Sequence, residues 1–382
     1  MTFISSSGAA SSQVGYADFV RTDPGTLAGR FMRMFWHPIY RSQDLASGRR
    51  VPVKIMGEEF TLYRGESGVV HLLAHRCAHR GTQLSVGRVE GDCIRCFYHG
   101  WKYDGSGQCV EQPAEDVSFA AKIRIRRYPT EEYLGLVFAY LGEGSPPPML
   151  RFPELEGEGV LENHTFVRAC NFFRHLELDP AHIAFVHQDS PEAESGLTGI
   201  PTIECQETDY GFVFHARRDE KVQTQHRLMP NASYFKVFPM DAESGWRDRA
   251  AWRVPVDDGH YVSFIVDLVH VTGDAAKRYR ERHSGSGKTS PPIAELTAAV
   301  LAGKLAVEDV KDLGASVVFF QDEVALLAQG DVAKQNDEHL GPADSLVILQ
   351  RKLWARELAA LAEGRPLKEW KRPAQLVATS GV

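Results

Sequence analysis

The sequence predicts an α+β protein, in which a small N-terminal all-β domain precedes a larger domain with an antiparallel sheet and C-terminal helices. Short β-rich runs punctuated by glycine fill residues 51–140. Strand-like runs return at residues 211–271, and helical periodicity follows at residues 293–362. A chain of 382 residues is long enough for two such domains.

The chain divides into three predicted segments. Residues 1–28 form a flexible leader, whose first part is rich in Ser, Gly and Ala without periodicity and whose end enters a helix expected near residues 26–34. Residues 29–145 form the all-β domain, and a Pro/Gly-rich linker at residues 142–148 closes it. Residues 146–382 form the second domain. The predicted strands are 51–56, 59–64, 69–73 and 134–140 in the first domain, and 211–217, 232–238, 250–256 and 261–271 in the second.

Helical periodicity marks four segments of the second domain, at residues 174–187, 293–304, 317–329 and 344–362. In the last of these, residues 348–354 have the apolar spacing of a packing face. Residues 275–290 are charged and then rich in Gly and Ser, so we expect a mobile surface loop there.

Composition excludes several classes of protein. The 43 Lys and Arg against 50 Asp and Glu give a net charge of −7, so no basic field for nucleic acid is expected. No apolar run approaches the length of a membrane span, and no secretory signal is evident, so we expect a cytoplasmic protein that is not bound to a membrane. Six cysteines are too few for a disulfide framework, and four of them cluster between residues 77 and 109.

That cluster contains two short motifs with ligand spacing. Cys77 and His79 form a C-x-H pair, and Cys96 and His99 form a C-x-x-H pair. Two thiolates and two imidazoles in paired loops of a β domain suit a [2Fe-2S] cluster in which His replaces Cys on one iron, the Rieske arrangement. A zinc site that includes Cys93 through its C-x-x-C spacing with Cys96 is the alternative, and buried thiols with core histidines are another.

A second motif lies in the predicted helix at residues 174–187. His182 and His187 are five residues apart, and Asp179 precedes the first by three. Two His and one carboxylate form the facial triad of Fe(II) oxygenases. Because positions i and i+5 point about 140° apart on a regular helix, both imidazoles reach one metal only if the helix ends or bulges between Ile183 and His187. An amphipathic helix with surface histidines is the alternative.

The two cluster motifs, with Phe35-Trp36-His37-Pro38 ahead of them, resemble Rieske non-heme iron oxygenase α subunits of the phthalate dioxygenase-like branch. The resemblance implies a Rieske domain followed by a catalytic domain of helix-grip type. It also implies a [2Fe-2S] cluster on Cys77, His79, Cys96 and His99, a mononuclear Fe(II) on His182 and His187, and Asp179 as a bridging carboxylate. Residues 319–329 resemble the family's late acidic helix, which makes Asp322 the expected third ligand and Glu323 the alternative. The chain departs from the family at His175, where a Glu is common.

The resemblance further implies a terminal oxygenase that uses O2 and electrons from an NAD(P)H-dependent reductase, alone or with a ferredoxin. Its substrate would be a small aromatic molecule, and we expect monooxygenation, by hydroxylation or by O- or N-dealkylation. Ring cis-dihydroxylation is the alternative within the family, and a Rieske electron-transfer protein without catalysis is the alternative from another class. A homotrimer is expected, in which Asp179 joins the cluster of one chain to the iron of its neighbour. Basic side chains near the cluster are either scattered charges or a docking patch for an acidic donor: Arg76, Arg80, Arg88, Arg95 and Lys102.

Overall fold

Three small antiparallel sheets build the N-terminal part of the chain. The computed structural model describes residues 14–188, 190, 197–239, 243–283, 292–311, 313–330, 332 and 338–379. The first sheet has the order β1-β11-β10, the second β2-β3-β4-β9 and the third β5-β6-β7-β8. These strands are β1 Trp36–Arg41, β2 Arg50–Ile55, β3 Glu58–Arg64, β4 Val70–Ala74, β5 Arg88–Glu90, β6 Cys93–Arg95, β7 Lys102–Tyr103, β8 Cys109–Glu111, β9 Arg127–Tyr128, β10 Thr130–Tyr133 and β11 Leu136–Tyr140.

A seven-stranded antiparallel sheet dominates the second part, in the order β12-β18-β17-β16-β15-β14-β13. Strands β13 to β18 are each paired with the next strand along the chain, and β12 forms the other edge of the sheet by pairing with β18. These strands are β12 Val160–Arg168, β13 Thr202–Glu207, β14 Gly211–Arg218, β15 Lys221–Leu228, β16 Ala232–Val237, β17 Arg247–Asp257 and β18 His260–Val269.

Two short helices precede the first part, two more lie between β12 and β13, and longer helices follow the seven-stranded sheet. They are α1 Tyr16–Val20, α2 Leu27–Met32, α3 Phe172–Leu176, α4 Ile183–Val186, α5 Gly273–His283, α6 Ile293–Leu301, α7 Val317–Ala328 and α8 Ser345–Ala362. No helix in the described part of the chain is long and apolar enough to cross a bilayer.

One hydrophobic core connects the two parts. Phe138 of β11 meets Trp252 of β17 edge to face, with ring centroids 5.5 Å apart. The backbone N–H groups of Met56 and Gly57 donate to carbonyls of β17 at 2.8 and 2.9 Å. Trp354 of α8 is fully buried against aromatic rings that come from both parts of the chain. The packing face expected within residues 348–354 is confirmed by this contact.

Several sequence expectations are wrong in detail. The described end of the predicted leader contains α1, whose Phe19 is buried and stacks on Phe173 at 5.2 Å. The predicted helix at residues 174–187 is two short helices, α3 and α4. Residues 275–283 of the predicted mobile loop belong to α5, while residues 284–290 lie outside the described residues.

One strand that the sequence pattern missed, β15, is rich in polar residues on its inner face. On β15, Gln223 is buried, and Gln225 and Arg227 line an internal cavity beside it. Alternation of apolar and polar residues marks a strand only when its inner face packs on an apolar core. On β15 the inner face borders a polar cavity, so the period-2 signal of this strand is lost.

Candidate metal centres

The first candidate centre consists of two loops with the same backbone hydrogen bonds. One loop follows β4 and begins at Cys77, and the other connects β6 to β7 and begins at Cys96. In each loop the cysteine N–H donates to the carbonyl five residues later, and the cysteine carbonyl accepts from the N–H four residues later. That fourth residue is a glycine with positive φ in both loops, +76° at Gly81 and +74° at Gly100. Glycine adopts this left-handed turn at little cost, so both loops curl in the same way around the space between them.

The two imidazoles of these loops are held side by side. The rings of His79 and His99 have centroids 4.5 Å apart. Trp101 stacks on His79 with centroids 4.7 Å apart and planes inclined by 8°, which fixes the ring. The buried Nδ1 of His79 has no hydrogen-bond partner. A buried polar atom without a partner is costly, and an iron ion bound at that nitrogen would remove the cost.

The two cysteines are buried free thiols that lie beside each other. Cys77 is 3% and Cys96 4% exposed, and burial is the main cause that raises the pKa of the Cys77 thiol. The Tyr103 hydroxyl accepts from the N–H of Ala78 at 3.1 Å and lies 3.2 Å from the Cys77 sulfur. Its own proton is therefore available to the sulfur, and such hydrogen bonds tune the reduction potential of iron-sulfur clusters.

The spacing of the four side chains fits a two-iron cluster better than a zinc ion. A zinc ion draws its four ligand atoms to within about 4 Å of one another. No three of the four side chains have ligand atoms within 4.8 Å of one another, and Cys93 joins no such group either. A [2Fe-2S] cluster divides its ligands between two irons, which separates the thiolate pair from the imidazole pair.

The basic side chains near these loops are mostly neutralised within the domain. Arg95 and Lys102 lie 2.8 Å from Glu111, and Arg95 and Arg88 also contact Glu90 at 2.8 and 2.6 Å. These three cations form a local network with two carboxylates. The network leaves one positive charge uncompensated, so the docking-patch interpretation stays a prediction.

The second candidate centre begins at the break between α3 and α4. His182 is the N-cap of α4, and His187 is its C-cap with φ −107° and ψ 29°. The helix thus ends between Val186 and His187, and the predicted irregularity in this segment is confirmed. Because of it, the two rings face each other with centroids 5.0 Å apart.

Helix α7 brings a carboxylate to these imidazoles. Asp322 Oδ1 lies 3.6 Å from His182 Nε2 and 3.2 Å from His187 Nε2. All three ligand atoms lie within 4.8 Å of one another. The side chain of His187 is 1% and that of Asp322 13% exposed, so the three groups meet in a mostly buried place.

The hydrogen bonds behind the two imidazoles fix their tautomers. His187 Nδ1 lies 2.8 Å from Gln321 Oε1, and His182 Nδ1 contacts the backbone carbonyl of Asp179. Both oxygens can only accept, so each Nδ1 carries the proton and each Nε2 of the neutral rings presents a lone pair. Asp322 Oδ1 has no hydrogen-bond partner. Two lone pairs and one carboxylate oxygen therefore converge with no proton between them, and a cation is the group that satisfies all three.

Burial and local charge keep these groups in their ligating forms. Desolvation by burial is the largest effect on His182 and lowers its pKa, which favours the neutral imidazole. Burial by itself opposes ionisation of Asp322, but the neighbouring imidazoles and the Arg168 guanidinium outweigh it, so its pKa lies below the ordinary value. The donor set is thus two neutral nitrogens and one anionic oxygen, as a non-heme Fe(II) site requires.

Glu323 points to a different partner. Its Oε2 lies 3.2 Å from Arg168 Nε, while Asp322 Oδ2 lies 3.7 Å from the same guanidinium. Burial raises the pKa of Glu323 in spite of this cation. Of the two adjacent carboxylates, Asp322 therefore faces the imidazoles and Glu323 faces away from them, which supports the sequence preference for Asp322.

Asp179 contacts His182 differently from the expectation. The backbone carbonyl of Asp179, rather than its carboxylate, accepts from the imidazole. The carboxylate Oδ1 accepts the N–H of Ala181 at 2.7 Å and caps the turn before α4. A bridging role toward a neighbouring chain stays a prediction.

A cavity of about 590 Å³ adjoins the second centre. It lies between the inner face of the seven-stranded sheet and the segments that carry His182, His187 and Asp322. Its aromatic walls are Phe166, Phe214, Phe235, Phe238 and Phe319. The volume matches a small organic molecule, and the open side of a metal at the second centre would face it.

Another group of possible ligands in the cavity wall is already satisfied. Glu162, His164 and Asp267 also place ligand atoms within 4.8 Å of one another. Asp267 is fully buried and accepts from Arg247 at 2.9 Å and from Arg249 at 2.6 Å. These guanidiniums compensate its charge, so the group is explained as an ion-pair network.

Sequence reasoning missed the residues that support the second centre. Gln321, Arg168 and the cavity arginines on β15 and β17 are separated widely along the chain and match no motif. His175, the departure from the family pattern, is buried and bonds to the Tyr261 hydroxyl at 2.6 Å. A weak signal existed in Arg247-Asp248-Arg249, where cations alternate on one face of a strand that is otherwise apolar.

Comparison with known proteins supports both centres. Residues 35–129 match the Rieske [2Fe-2S] domain model. The chain is 30% identical over 384 residues to the tert-butanol monooxygenase / tert-amyl alcohol desaturase oxygenase subunit of Aquincola tertiaricarbonis, covering 92% of this chain and 78% of that protein. It is 29% identical over 371 residues to the 5,5'-dehydrodivanillate O-demethylase oxygenase subunit of Sphingobium sp. strain SYK-6, covering 91% of this chain and 80% of that protein.

Solved structures show the same fold. NdmA from Pseudomonas putida CBB5, solved as a QL mutant with caffeine, aligns with a TM-score of 0.64 and 21% identity over 87% of this chain and 92% of that chain. The oxygenase in the reduced oxygenase–ferredoxin complex of carbazole 1,9a-dioxygenase aligns with a TM-score of 0.64 and 20% identity over 92% and 96% of the two chains.

The fold and the two centres define an oxygenase that combines a Rieske domain with a helix-grip catalytic domain. The chain belongs to the Rieske non-heme iron oxygenases, in the branch that includes phthalate dioxygenase oxygenase subunits. It is a terminal oxygenase subunit, and its cofactors are a [2Fe-2S] cluster and a mononuclear iron.

The contrast between adjacent carboxylates gives a direct test of the iron ligands. We expect Asp322→Ala to lose the mononuclear iron and all oxygenation, because it removes the anionic oxygen that faces both imidazoles. Glu323→Ala, the matched control, should keep that iron because its carboxylate faces Arg168. Iron and acid-labile sulfide analysis, with the visible spectrum of the cluster, measures both. If the mononuclear iron is retained in Asp322→Ala and lost in Glu323→Ala, Glu323 is the iron ligand.

Proposed function

We propose that Cys77, His79, Cys96 and His99 hold the cluster, and that His182, His187 and Asp322 hold the catalytic Fe(II). The observation that carries the second assignment is the convergence of two imidazole lone pairs and one carboxylate oxygen with no proton between them. With both metals bound, the cluster supplies electrons one at a time and the mononuclear iron activates O2. The protein supplies fixed imidazoles, a buried carboxylate and an adjoining cavity.

The substrate that we propose is a small aromatic molecule, and the reaction is a monooxygenation that ends in hydroxylation or in O- or N-dealkylation. Phenylalanine rings line the cavity from both the sheet and α7, and they provide stacking and edge contacts for an aromatic ring. The relatives include an O-demethylase and a monooxygenase, which supports this reaction. They also include the 3-chlorobenzoate-3,4-dioxygenase oxygenase subunit of Comamonas testosteroni, so ring cis-dihydroxylation stays the second candidate.

The electron donor that we propose is a reductase, alone or with a ferredoxin, that draws on NAD(P)H. The carbazole 1,9a-dioxygenase oxygenase has been solved in complex with its ferredoxin, which supports such a partner. We propose the cytoplasm as the place of action, because NAD(P)H is available there and the free cysteines stay reduced. The boundaries at residues 28 and 145 are kept as predictions.

A homotrimer is our proposal for the assembly, supported by exposed aromatic rings at both centres. Next to the first centre, Phe97 is 79% and Tyr98 57% exposed. Next to the second, Phe185 of α4 is 72% exposed, although it lies between the two iron ligands in sequence. Apolar rings exposed at both ends of an electron path suit contacts between chains. A cyclic assembly would place each cluster beside the neighbour's iron.

Single-turnover oxygenation tests the proposed function without the native donor. Protein reduced with dithionite should oxidise members of a panel of methoxy-, N-methyl- and phenoxy-substituted aromatics under labelled O2. One labelled oxygen per turnover, with or without a released aldehyde, would support monooxygenation, whereas two in a cis-diol would support the second candidate. His182→Ala is the control and should form no product. Reoxidation of the wild-type cluster with no product across the panel would favour the electron-transfer alternative.

Substitution of Asp179 tests the proposed electron transfer from the cluster of one chain to the iron of its neighbour. Asp179→Asn keeps the size of the side chain and its capping oxygen, so both metal centres should stay bound. It removes the negative charge from the surface beside His182, and we expect cluster oxidation in a single turnover with bound substrate to slow by at least about a hundredfold. Rapid-mixing spectroscopy at the cluster absorption band measures this rate. If the cluster of Asp179→Asn is oxidised at the wild-type rate, Asp179 has no bridging role. If a monomer is fully active in solution, the proposed cyclic trimer is wrong.

A further inference from the structure

The cavity beside the second centre contains more positive charge than its own carboxylates compensate. Seven basic side chains line it: Arg168, Arg227, Lys236, Arg247, Arg249, Arg253 and Arg282. Five of them have a carboxylate oxygen within 4 Å, from Glu323, Asp248, Asp267 or Glu243. Arg227 and Arg253 have no such partner among the described residues.

Arg253 is the more isolated of the two. It is 7% exposed, and one terminal nitrogen of its guanidinium makes a long contact of 3.4 Å with the carbonyl of Trp252 beside it. Its Nε has no hydrogen-bond partner. A guanidinium has five N–H donors, so most of the hydrogen-bonding capacity of Arg253 is unused while it lines the cavity.

Arg227 is in a similar position on β15. One of its terminal nitrogens donates to the carbonyl of Leu178 at 3.0 Å, which ties it to the segment just before Asp179. Its Nε has no hydrogen-bond partner. The sheet register places Arg227 opposite Ser233, and Ser233 opposite Ala251, which is two residues from Arg253 on the same face. The two arginines thus face the same cavity across one intervening strand.

Both side chains keep their charge in this setting. Burial lowers the pKa of Arg253 to about 9 and that of Arg227 to about 10, and both values are above neutral pH. Among the described residues neither guanidinium has a carboxylate oxygen within 4 Å, and Asp179 acts on Arg227 only from a greater distance. Buried guanidiniums without a close counter-ion oppose folding, because each loses hydration without gaining a partner. A stable fold that keeps such groups at a cavity wall is the arrangement expected when a ligand provides the missing anion.

We propose that the cavity binds a substrate carrying a carboxylate, which Arg253 and Arg227 hold while the aromatic part of the substrate lies against Phe214 and Phe235. A carboxylate offers two oxygens to the fork of a guanidinium, so it can use the donors that the protein leaves free. The register pairs both phenylalanines with Gln225, two residues from Arg227, so the aromatic wall adjoins the cationic one. This inference rests on the proposed function for what happens to the bound molecule, but binding itself can be measured without turnover.

Matched pairs of ligands test the inference. The holoenzyme should be titrated calorimetrically, without reductant, with methoxy- and phenoxy-substituted benzoates and with their neutral carboxamides. We expect the benzoates to bind about tenfold to a hundredfold more tightly than the carboxamides, because charge-assisted hydrogen bonds are lost in the neutral ligands. Acetate, which has the anion without the ring, should bind more weakly than the benzoates. Carboxamides that bind as tightly as the benzoates, or acetate that binds as tightly, would overturn the proposal.

Three variants assign the preference to residues. In Arg253→Gln and in Arg227→Gln, the preference for benzoates should fall at least about tenfold. In Lys236→Gln it should persist, because Lys236 lines the same cavity but is already paired with Asp248 at 3.1 Å. A preference that persists in both arginine variants, or that disappears equally in Lys236→Gln, would overturn the assignment.

Thermal unfolding of ligand-free protein separates binding from folding. Because Arg253→Gln removes an unpaired buried cation, its midpoint should not fall below that of the wild type. Benzoate should raise the wild-type midpoint more than that of the variant. A large fall without ligand would make Arg253 a structural residue and overturn its role in binding.

Two further outcomes separate this inference from the proposed function. If the protein oxygenates neutral aromatics and shows no preference for benzoates, the carboxylate site is refuted and the oxygenase function stands. If it prefers benzoates but oxygenates none of the compounds, the proposed function is refuted and the carboxylate site stands.

Discussion

The Nε2 atoms of His182 and His187 and the Oδ1 atom of Asp322 meet at one buried point with no proton between them. The surrounding elements of the second part of the chain hold these three atoms in place. The carbonyl of Asp179 and the amide oxygen of Gln321 hold the protons of the two imidazoles on the far side of each ring. The break between α3 and α4 turns both rings to face Asp322, which α7 delivers from a distant part of the chain. A cation at this point would accept an electron pair from all three groups.

The two centres differ in how much of their geometry is local. Each cluster loop contains a Cys, a His and a turn-forming glycine within six residues, so the sequence specifies its ligands almost completely. The iron site needs a carboxylate from α7, and His187 and Gln321, which bond to each other, are 134 residues apart. Spacing alone could not select that carboxylate, and Asp322 was identified through the resemblance of residues 319–329 to the family.

The sequence pattern predicted the strands β14, β16, β17 and β18 and the helices α6, α7 and α8, and it failed on β15, where the inner face of the sheet is polar. Alternation vanishes on β15 because Gln223 and Arg227 point toward the cavity. Arg227, one of the residues that hide the strand from a hydrophobic pattern, also adds positive charge to the cavity. The short helix α1 was missed because five residues are too few for a periodic signal, and contacts with α3 stabilise it.

The metal content of the purified protein distinguishes a chain with two iron centres from a chain with a cluster alone or with zinc. After anaerobic reconstitution with Fe(II) and sulfide, we expect about three irons for every two acid-labile sulfides and no stoichiometric zinc, because one chain holds a two-iron cluster and one further iron. His182→Ala should lower this to about two irons per two sulfides and keep the cluster spectrum. Equal iron and sulfide in the wild type, or loss of the cluster spectrum in His182→Ala, would contradict the account.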